Sequence, residues 1–321
     1  EMNTELGKPA SNIDCSIIIP VYCNEQNVWP TFKKIHEAVV LHNPEMVFEV
    51  IFVDDGSYDN SMEKLIELKE AYKDIIKVIK LTRNFGQVNA LYAGYAHSRG
   101  KCIVNISADL QDPPELINDM LKYHFEENYP IVVCTRSERE ESYFRRKTSS
   151  FFYKAMRKLS FSNMPPGGFD FLLVGSKIKK LILDNMEANA FWQGQILWTG
   201  YRAKFIPYKR MAREIGESKW TFSKKLKYLI DGVLGYSFFP IRIMSILGLI
   251  ISLSGFVYAI VIVIAKFAGS YPFQGWAPLM VIVLFLSGFQ MLMLGIIGEY
   301  LWRTLDEVRR RQLYIIDEIY E

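Results

Sequence analysis

Acidic side chains at the ends of apolar runs are the first candidates for chemistry in this chain. Asp54 and Asp55 close the run VFEVIFV and open the turn DDGSYD; Asp109, Gln111 and Asp112 lie in SADLQDPPE, directly after KCIVNI. Two adjacent carboxylates at the end of a buried run are costly if they only cap a helix, and Ser57 or Asp59 would serve as that cap. Carboxylates do not bind phosphate themselves. A divalent cation held by them does, because Mg²⁺ and Mn²⁺ take oxygen ligands and keep positions open for a diphosphate. The glycine-loop alternatives are missing: no G-x-G-x-x-G follows the first run, and there is no G-x-x-x-x-G-K-[ST]. Polar residues also follow the other apolar runs, with Pro20, Tyr22 and Glu25 after the first and Arg83, Asn84 and Gly86 after the third. Basic groups supply the complementary charge. Arg136, Arg139, Arg145 and Arg146 belong to RSEREESYFRRKTSSFFYKAMRKL (136–159), which mixes charge with Phe and Tyr at helical spacing. That pattern suits a helix lying in the interface of an anionic membrane.

The elements that must position these residues read as alternating strands and helices. Short β-branched runs predict strands over 15–20, 47–53, 76–81, 101–106 and 131–134, and helical spacing falls between them over 28–41, 61–72, 88–98 and 114–127. Such alternation implies an α/β fold with a mostly parallel sheet and helices on both faces. Ligands of these sheets bind beyond the carboxyl ends of the strands, where the polar residues cluster.

The rest of the chain is different in kind. It has 321 residues, half of them hydrophobic, and a net charge of only +3, which provides no concentrated basic face for nucleic acid. No charged residue occurs from Ile243 to Ala265 or from Phe267 to Gly298. About 20 apolar residues cross a bilayer core, so two spans are expected, over 241–266 and 277–299. Lys224, Lys225, Lys227 and Arg242 precede the first, and Arg303, Arg309, Arg310 and Arg311 follow the second. By the positive-inside rule the spans form a hairpin with both ends cytoplasmic. The expected division is a domain over 1–235, with interfacial helices near 143–160 and 221–240, and a hairpin with its tail over 236–321. Cys15, Cys23, Cys102 and Cys134 form no C-x-x-C pair, and the four histidines lack metal-ligand spacing; reduced thiols and no zinc site are expected. No signal-peptide pattern opens the sequence.

Taken in order, IIIPVYCNE (17–25), FVDDGSYDNS (52–61), RNFGQVNALYAG (83–94), ADLQDPPE (108–115), GESKWTF (216–222) and GIIGEYLWR (295–303) resemble the polyprenyl-phosphate branch of glycosyltransferase family 2. That branch includes the dolichol-phosphate mannose synthases and bacterial undecaprenyl-phosphate glycosyltransferases; the last two strings match its two-helix bacterial members. The resemblance implies a GT-A fold and inverting transfer of a sugar from a nucleotide-sugar, a UDP-sugar, to polyprenyl phosphate such as undecaprenyl phosphate. It also implies a divalent cation, an inner-membrane location with the catalytic domain on the cytoplasmic side, a role in cell-envelope glycan modification, and a homo-oligomer such as a tetramer. Carried onto this chain, Pro20, Tyr22, Glu25, Asp54, Asp55, Arg83, Asn84 and Gly86 bind the nucleotide. Asp109 and Gln111 hold the metal, with Asp112 close behind, and Asp170 joins them as a catalytic candidate. Arg136, Arg139, Arg145, Arg146 and Lys219 bind the acceptor phosphate. Three departures are visible: Ser107 replaces the first carboxylate of the usual D-x-D, GGFDF (167–171) places Asp170 one residue late, and Gln193 stands where glucosyl relatives often carry arginine.

A phosphate monoester acceptor, with a second pKa near ~6, is mostly dianionic at neutral pH and needs little general-base help. Catalysis would then rest on stabilising the departing diphosphate and shielding two anions from each other. Two other readings compete. A processive polysaccharide synthase would carry Gln-x-x-Arg-Trp, where this chain has QGQILW (193–198). A non-catalytic nucleotide-sugar-binding membrane protein would fit Ser107.

Overall fold

The computed structural model describes residues 13–138, 157, 161, 163–165, 168–211, 231–267 and 277–321. It divides into two compact units, one of residues 1–229 together with 312–321 and the other of residues 230–311. The tail after the second apolar helix, expected to go with the hairpin, therefore belongs to the first unit.

In that unit the described strands form one eight-stranded sheet: β1 (Cys15–Val21), β2 (Phe48–Asp54), β3 (Ile76–Leu81), β4 (Cys102–Asn105), β5 (Ile131–Glu138), β6 (Leu172–Gly175), β7 (Ala203–Lys209) and β8 (Ile316–Tyr320). Their order across the sheet is β7-β5-β6-β4-β1-β2-β3-β8. The sequence expected the first five within a few residues. β1, β2, β3 and β4 run parallel. Their near-unbroken apolar sequence follows from burial on both faces, and every residue of β2 is buried.

Helices cover the two faces. They are α1 (Val28–Ile35), α2 (Ser61–Ala71), α3 (Gln87–His97), α4 (Leu116–Phe125), α5 (Ser176–Asp184) and α6 (Trp192–Trp198). In α1 the buried residues Val28, Thr31, Phe32 and Ile35 share one face at helical spacing. The helix expected to run to Leu41 instead widens into a π turn over His36–Val40.

Register decides which strand ends meet. β6 is antiparallel to β4, with Leu172 opposite Asn105, and β5 is antiparallel to β6, with Val133 opposite Leu172. β7 runs parallel to β5. One rim of the sheet thus carries the carboxyl ends of β1 to β5 and β7, and the start of β6. β8 is antiparallel to β3, and the Thr82 N–H donates to the Ile315 carbonyl at 3.0 Å. The chain consequently leaves the sheet after β7 at this rim and re-enters before β8 at the same rim.

The second unit contains α7 (Phe239–Phe267, 29 residues) and α8 (Ala277–Arg309, 33 residues). At 1.5 Å per residue these helices are about 43 and 50 Å long, against a hydrocarbon core of about 30 Å. Each has a window of mean hydropathy above 2 with none of it buried within the protein, so lipid is the solvent these surfaces suit. The surplus length of α8 lies past Gly298. There Arg303 pairs with Asp231 at 2.6 Å and Glu299 at 3.0 Å.

Candidate active site

The sheet brings the predicted acidic residues to one rim by two different routes. Asp54 is the last residue of β2 and Asp55 the next. Asp54 is buried; its Oδ2 accepts the Ser57 N–H at 3.2 Å, while its Oδ1 has no hydrogen-bond partner among the described residues. Burial raises its pKa. Asp55 accepts the N–H groups of Phe85 and Gly86, one on each oxygen, at 2.7 and 2.9 Å. It thereby ties the turn after β2 to the loop after β3. Burial pushes its carboxyl up to about 6, against the two backbone N–H groups that pull it down. Gly56 is required between these loops. Its φ is +67°, and a Cβ there would lie 2.3 Å from the Arg83 carbonyl carbon.

The remaining nucleotide candidates surround this pair. Arg83 and Asn84 are exposed, and the Arg83 guanidinium lies 4.1 Å from the centre of the Phe85 ring. Tyr22 meets Tyr58 edge-on at 6.2 Å. Glu25 Oε2 accepts the Asn60 N–H at 3.1 Å, steadying the turn at the start of α2. Pro20 is half-buried in β1. Gly86, at φ +95°, caps α3 in a conformation that side chains disfavour.

Across β1 lies the loop after β4. The Ser107 hydroxyl sits 2.6 Å from Asp109 Oδ1 and 2.9 Å from Asp112 Oδ2. A hydroxyl has one proton, so it satisfies one carboxylate at a time. Tyr208, near the end of β7, donates to Asp112 Oδ1. Arg210, just past β7, reaches both carboxylates, at 3.6 Å from Asp109 and 3.4 Å from Asp112. Gln111 is bound to the same strand end: its carbonyl accepts the Met211 N–H at 3.0 Å, and its Nε2 donates to the Met211 carbonyl at 3.2 Å.

A second arm extends from Tyr208. The Arg136 charge acts on the Tyr208 hydroxyl against the rise that burial and Asp112 impose, and Arg136 pairs with Asp170 Oδ2 at 2.8 Å. Burial works against the Arg136 charge, yet Asp170, Tyr208 and Asp112 outweigh it and hold the guanidinium more firmly protonated than usual. Asp170 precedes β6, and Gln193 Nε2 approaches its other oxygen at 3.4 Å while donating to the Phe169 carbonyl at 2.8 Å. The result is a polar chain along the rim: Gln193, Asp170, Arg136, Tyr208, Asp112, Ser107, Asp109, Arg210.

Sequence reasoning listed Arg136 with the acceptor clamps. Its side chain is instead only 11% exposed and committed to Asp170. Arg139, Arg145, Arg146 and Lys219, with most of the expected interfacial segments, lie outside the described residues. The sequence reading missed Tyr208 and Arg210. The available signal was a tyrosine and two basic residues closing an apolar run just before the GESK string.

Ser107, Asp109, Gln111 and Asp112 offer only oxygen donors for a cation: a hydroxyl, two carboxylates and an amide. This set fits Mg²⁺ or Mn²⁺ with positions left for a diphosphate. No group of three or more His, Cys, Asp or Glu side chains suited to a metal occurs among the described residues; donor phosphates or water would complete the shell.

Residues 16–179, about half of the chain, match the family model described as glycosyl transferase family 2. The chain belongs to glycosyltransferase family 2. An uncharacterized glycosyltransferase of Synechocystis sp. is 36% identical over 309 residues, covering 96% of both chains. A prophage bactoprenol glucosyl transferase homolog of Escherichia coli is 31% identical over 305 residues, covering 95% of this chain and 98% of that one. The bactoprenol glucosyl transferase of Shigella phage SfII is 31% identical over 302 residues, covering 94% and 96%. Among solved structures, glucosyl-3-phosphoglycerate synthase of Mycobacterium tuberculosis in complex with Mn²⁺, UDP-glucose and phosphoglyceric acid superposes with a TM-score of 0.51. That match is 16% identical and covers 70% of this chain and 79% of that one. The sheet is accordingly GT-A-like, followed by two apolar helices of membrane length.

Proposed function

We propose that this family 2 glycosyltransferase moves a sugar from a UDP-sugar to polyprenyl phosphate, undecaprenyl phosphate in particular, with inversion at the anomeric carbon. The product is a lipid-linked glycosyl phosphate for cell-envelope glycan modification, made on the cytoplasmic side of the plasma membrane. One observation carries the reading. The rim that bears the acidic chain of side chains is also the rim at which the chain leaves the sheet after β7 and re-enters it before β8, and the residues between those strands include two helices of lipid-spanning length. Full-length similarity to bactoprenol glucosyl transferases supports the lipid acceptor.

Each residue has a part in this reading. The buried, unpartnered Asp54 Oδ1 calls for a donor, and the imide N–H of a uracil ring supplies one; leaving it unmet costs about 1–3 kcal/mol. Asp55 holds the Arg83–Gly86 loop against the nucleotide. Asp109 and Gln111, with Asp112 beside them, hold Mg²⁺ or Mn²⁺, which when bound stabilises the leaving diphosphate. Asp170, oriented by Arg136 and Gln193, faces the transferred sugar. Arg139, Arg145, Arg146 and Lys219 bind the acceptor phosphate, whose dianion attacks directly. A homo-oligomer, such as a tetramer, arranges several such sites on one membrane.

The deciding experiment supplies full-length protein in vesicles with undecaprenyl phosphate and a panel of labelled nucleotide-sugars. Label should pass into organic solvent and be released by mild acid, as for a glycosyl phosphate. Label confined to water-soluble oligosaccharide would favour a polysaccharide synthase, and no transfer from any donor would favour a binding protein.

A further inference from the structure

Arg210 is the feature of the rim that the proposed reaction leaves without a role. We infer that Arg210 is the resting counter-ion of the cation site, displaced when the donor's cation binds. The inference builds on the proposed use of a divalent cation at Asp109.

The charges require some such group. Asp112 is 2% exposed and Asp109 lies beside it, both against one Ser107 proton. Two carboxylates this close are strained without a compensating positive charge. Ser107 is the uncharged member of this cluster and adds no third negative charge to it. Arg210 lies within ion-pair distance of both acids, yet at 3.6 and 3.4 Å neither contact is a close hydrogen bond, and its buried Nε has no hydrogen-bond partner among the described residues. The guanidinium is thus held by charge more than by directed bonds, which makes it exchangeable.

A divalent cation bound at Asp109 with Arg210 in place would bring two positive groups together between the same acids. Their repulsion favours departure of the guanidinium, the monovalent and less closely bonded of the two. Arg210 is covalently next to Met211, whose N–H and carbonyl both bond to Gln111. Gln111 can meet a cation with its amide oxygen while Nε2 keeps its bond to Met211, so the strand end stays tied as the guanidinium swings away. Cation binding therefore releases the Arg210 guanidinium, which becomes available to the donor's diphosphate oxygens.

The test measures Mn²⁺ binding to the detergent-purified full chain without nucleotide, from the free-ion signal in electron paramagnetic resonance. Arg210→Met keeps the stem and removes the competing charge. It should bind Mn²⁺ at least about tenfold tighter than wild type, the size expected for removing one like charge at roughly 4 Å in a partly solvated site. Adding UDP should shrink or reverse that advantage, because the diphosphate then lacks its arginine. Arg210→Lys, which keeps a charge, should stay near wild type. If Arg210→Met does not fold, Arg210→Gln replaces it in the comparison. Equal or weaker Mn²⁺ binding by the folded neutral variant overturns the inference, and so does a lack of Mn²⁺ binding in every form. Tightening without any sugar transfer would sustain the counter-ion role and sink the proposed reaction; transfer without tightening would do the reverse.

Discussion

Single side chains at the rim differ in what they can tolerate. Asp109 accepts from Ser107, pairs with Arg210 and is more exposed than Asp112. Asp109→Asn keeps its size and removes its charge, so transfer should fall by at least ~10²-fold if cation stabilisation is worth several kcal/mol. Near-normal turnover of that variant, or full activity of wild type in excess chelator, would remove the cation from the mechanism. Asp55 makes a prediction about pH. Its folded pKa is raised from 3.8 to about 6 by burial. The folded state therefore holds the extra proton between those values, so the Asp55 contribution to stability declines as pH rises through that window and is flat above it. A shift of this size corresponds to about 3 kcal/mol, which partial screening cuts to about 1–2. Thermal unfolding of wild type and Asp55→Asn at a series of pH values should show wild type losing stability relative to the variant from about pH 4 to about pH 6, with no further change above. A difference independent of pH would mean that Asp55 titrates as an ordinary carboxylate.

At the scale of elements, the edge strand β8 matters most. It covers the otherwise open side of β3, and its flanking charges meet lysines of that strand: Asp317 pairs with Lys80 and Glu321 with Lys77, both at 2.6 Å. The Lys77 side chain is only 6% exposed. Removing residues 316–321 would strip a ladder of hydrogen bonds and leave that ammonium without its carboxylate. The melting temperature should drop by at least roughly 5 °C; an unchanged value would show that β8 adds nothing to the sheet. This strand also marks where the sequence stopped being legible. β1 to β4 could be read because burial on both faces writes continuous apolar runs. IDEIY is too short and too charged to signal a strand, and its partner lies more than two hundred residues earlier. The site divides in the same way. Asp54, Asp55, Asp109 and Asp112 were visible because carboxylates at strand ends need an explanation. Arg210 and Tyr208 were not, since β6 and β7 arrive at the rim through antiparallel pairing that no local pattern encodes. Arg136 looked like part of a basic surface segment because charge pattern does not reveal a buried partner such as Asp170.

For the whole molecule, the first unit is discontinuous in sequence: residues 312–321 complete it after the two apolar helices. A fragment ending near residue 235 thus lacks one strand of its sheet, and a soluble version of this unit needs the tail rejoined by a linker. The hairpin reading gives a test of sidedness. In intact cells, Ser270→Cys should react with a membrane-impermeant maleimide, whereas Gln312→Cys should react only after permeabilisation. Labelling of both in intact cells, or of neither, would be incompatible with the loop lying outside and the sheet inside. The late arrival of β8 has a consequence for biosynthesis. Residues 316–320 leave the ribosome only after both hydrophobic segments have been made. A chain whose second segment failed to cross back would carry its last strand on the wrong side of the bilayer, out of reach of β3. That chain would present an unpaired edge with Lys77 exposed to solvent or unmatched, a state open to proteolysis. On the hairpin reading, completing the sheet would therefore require that both hydrophobic segments be correctly threaded.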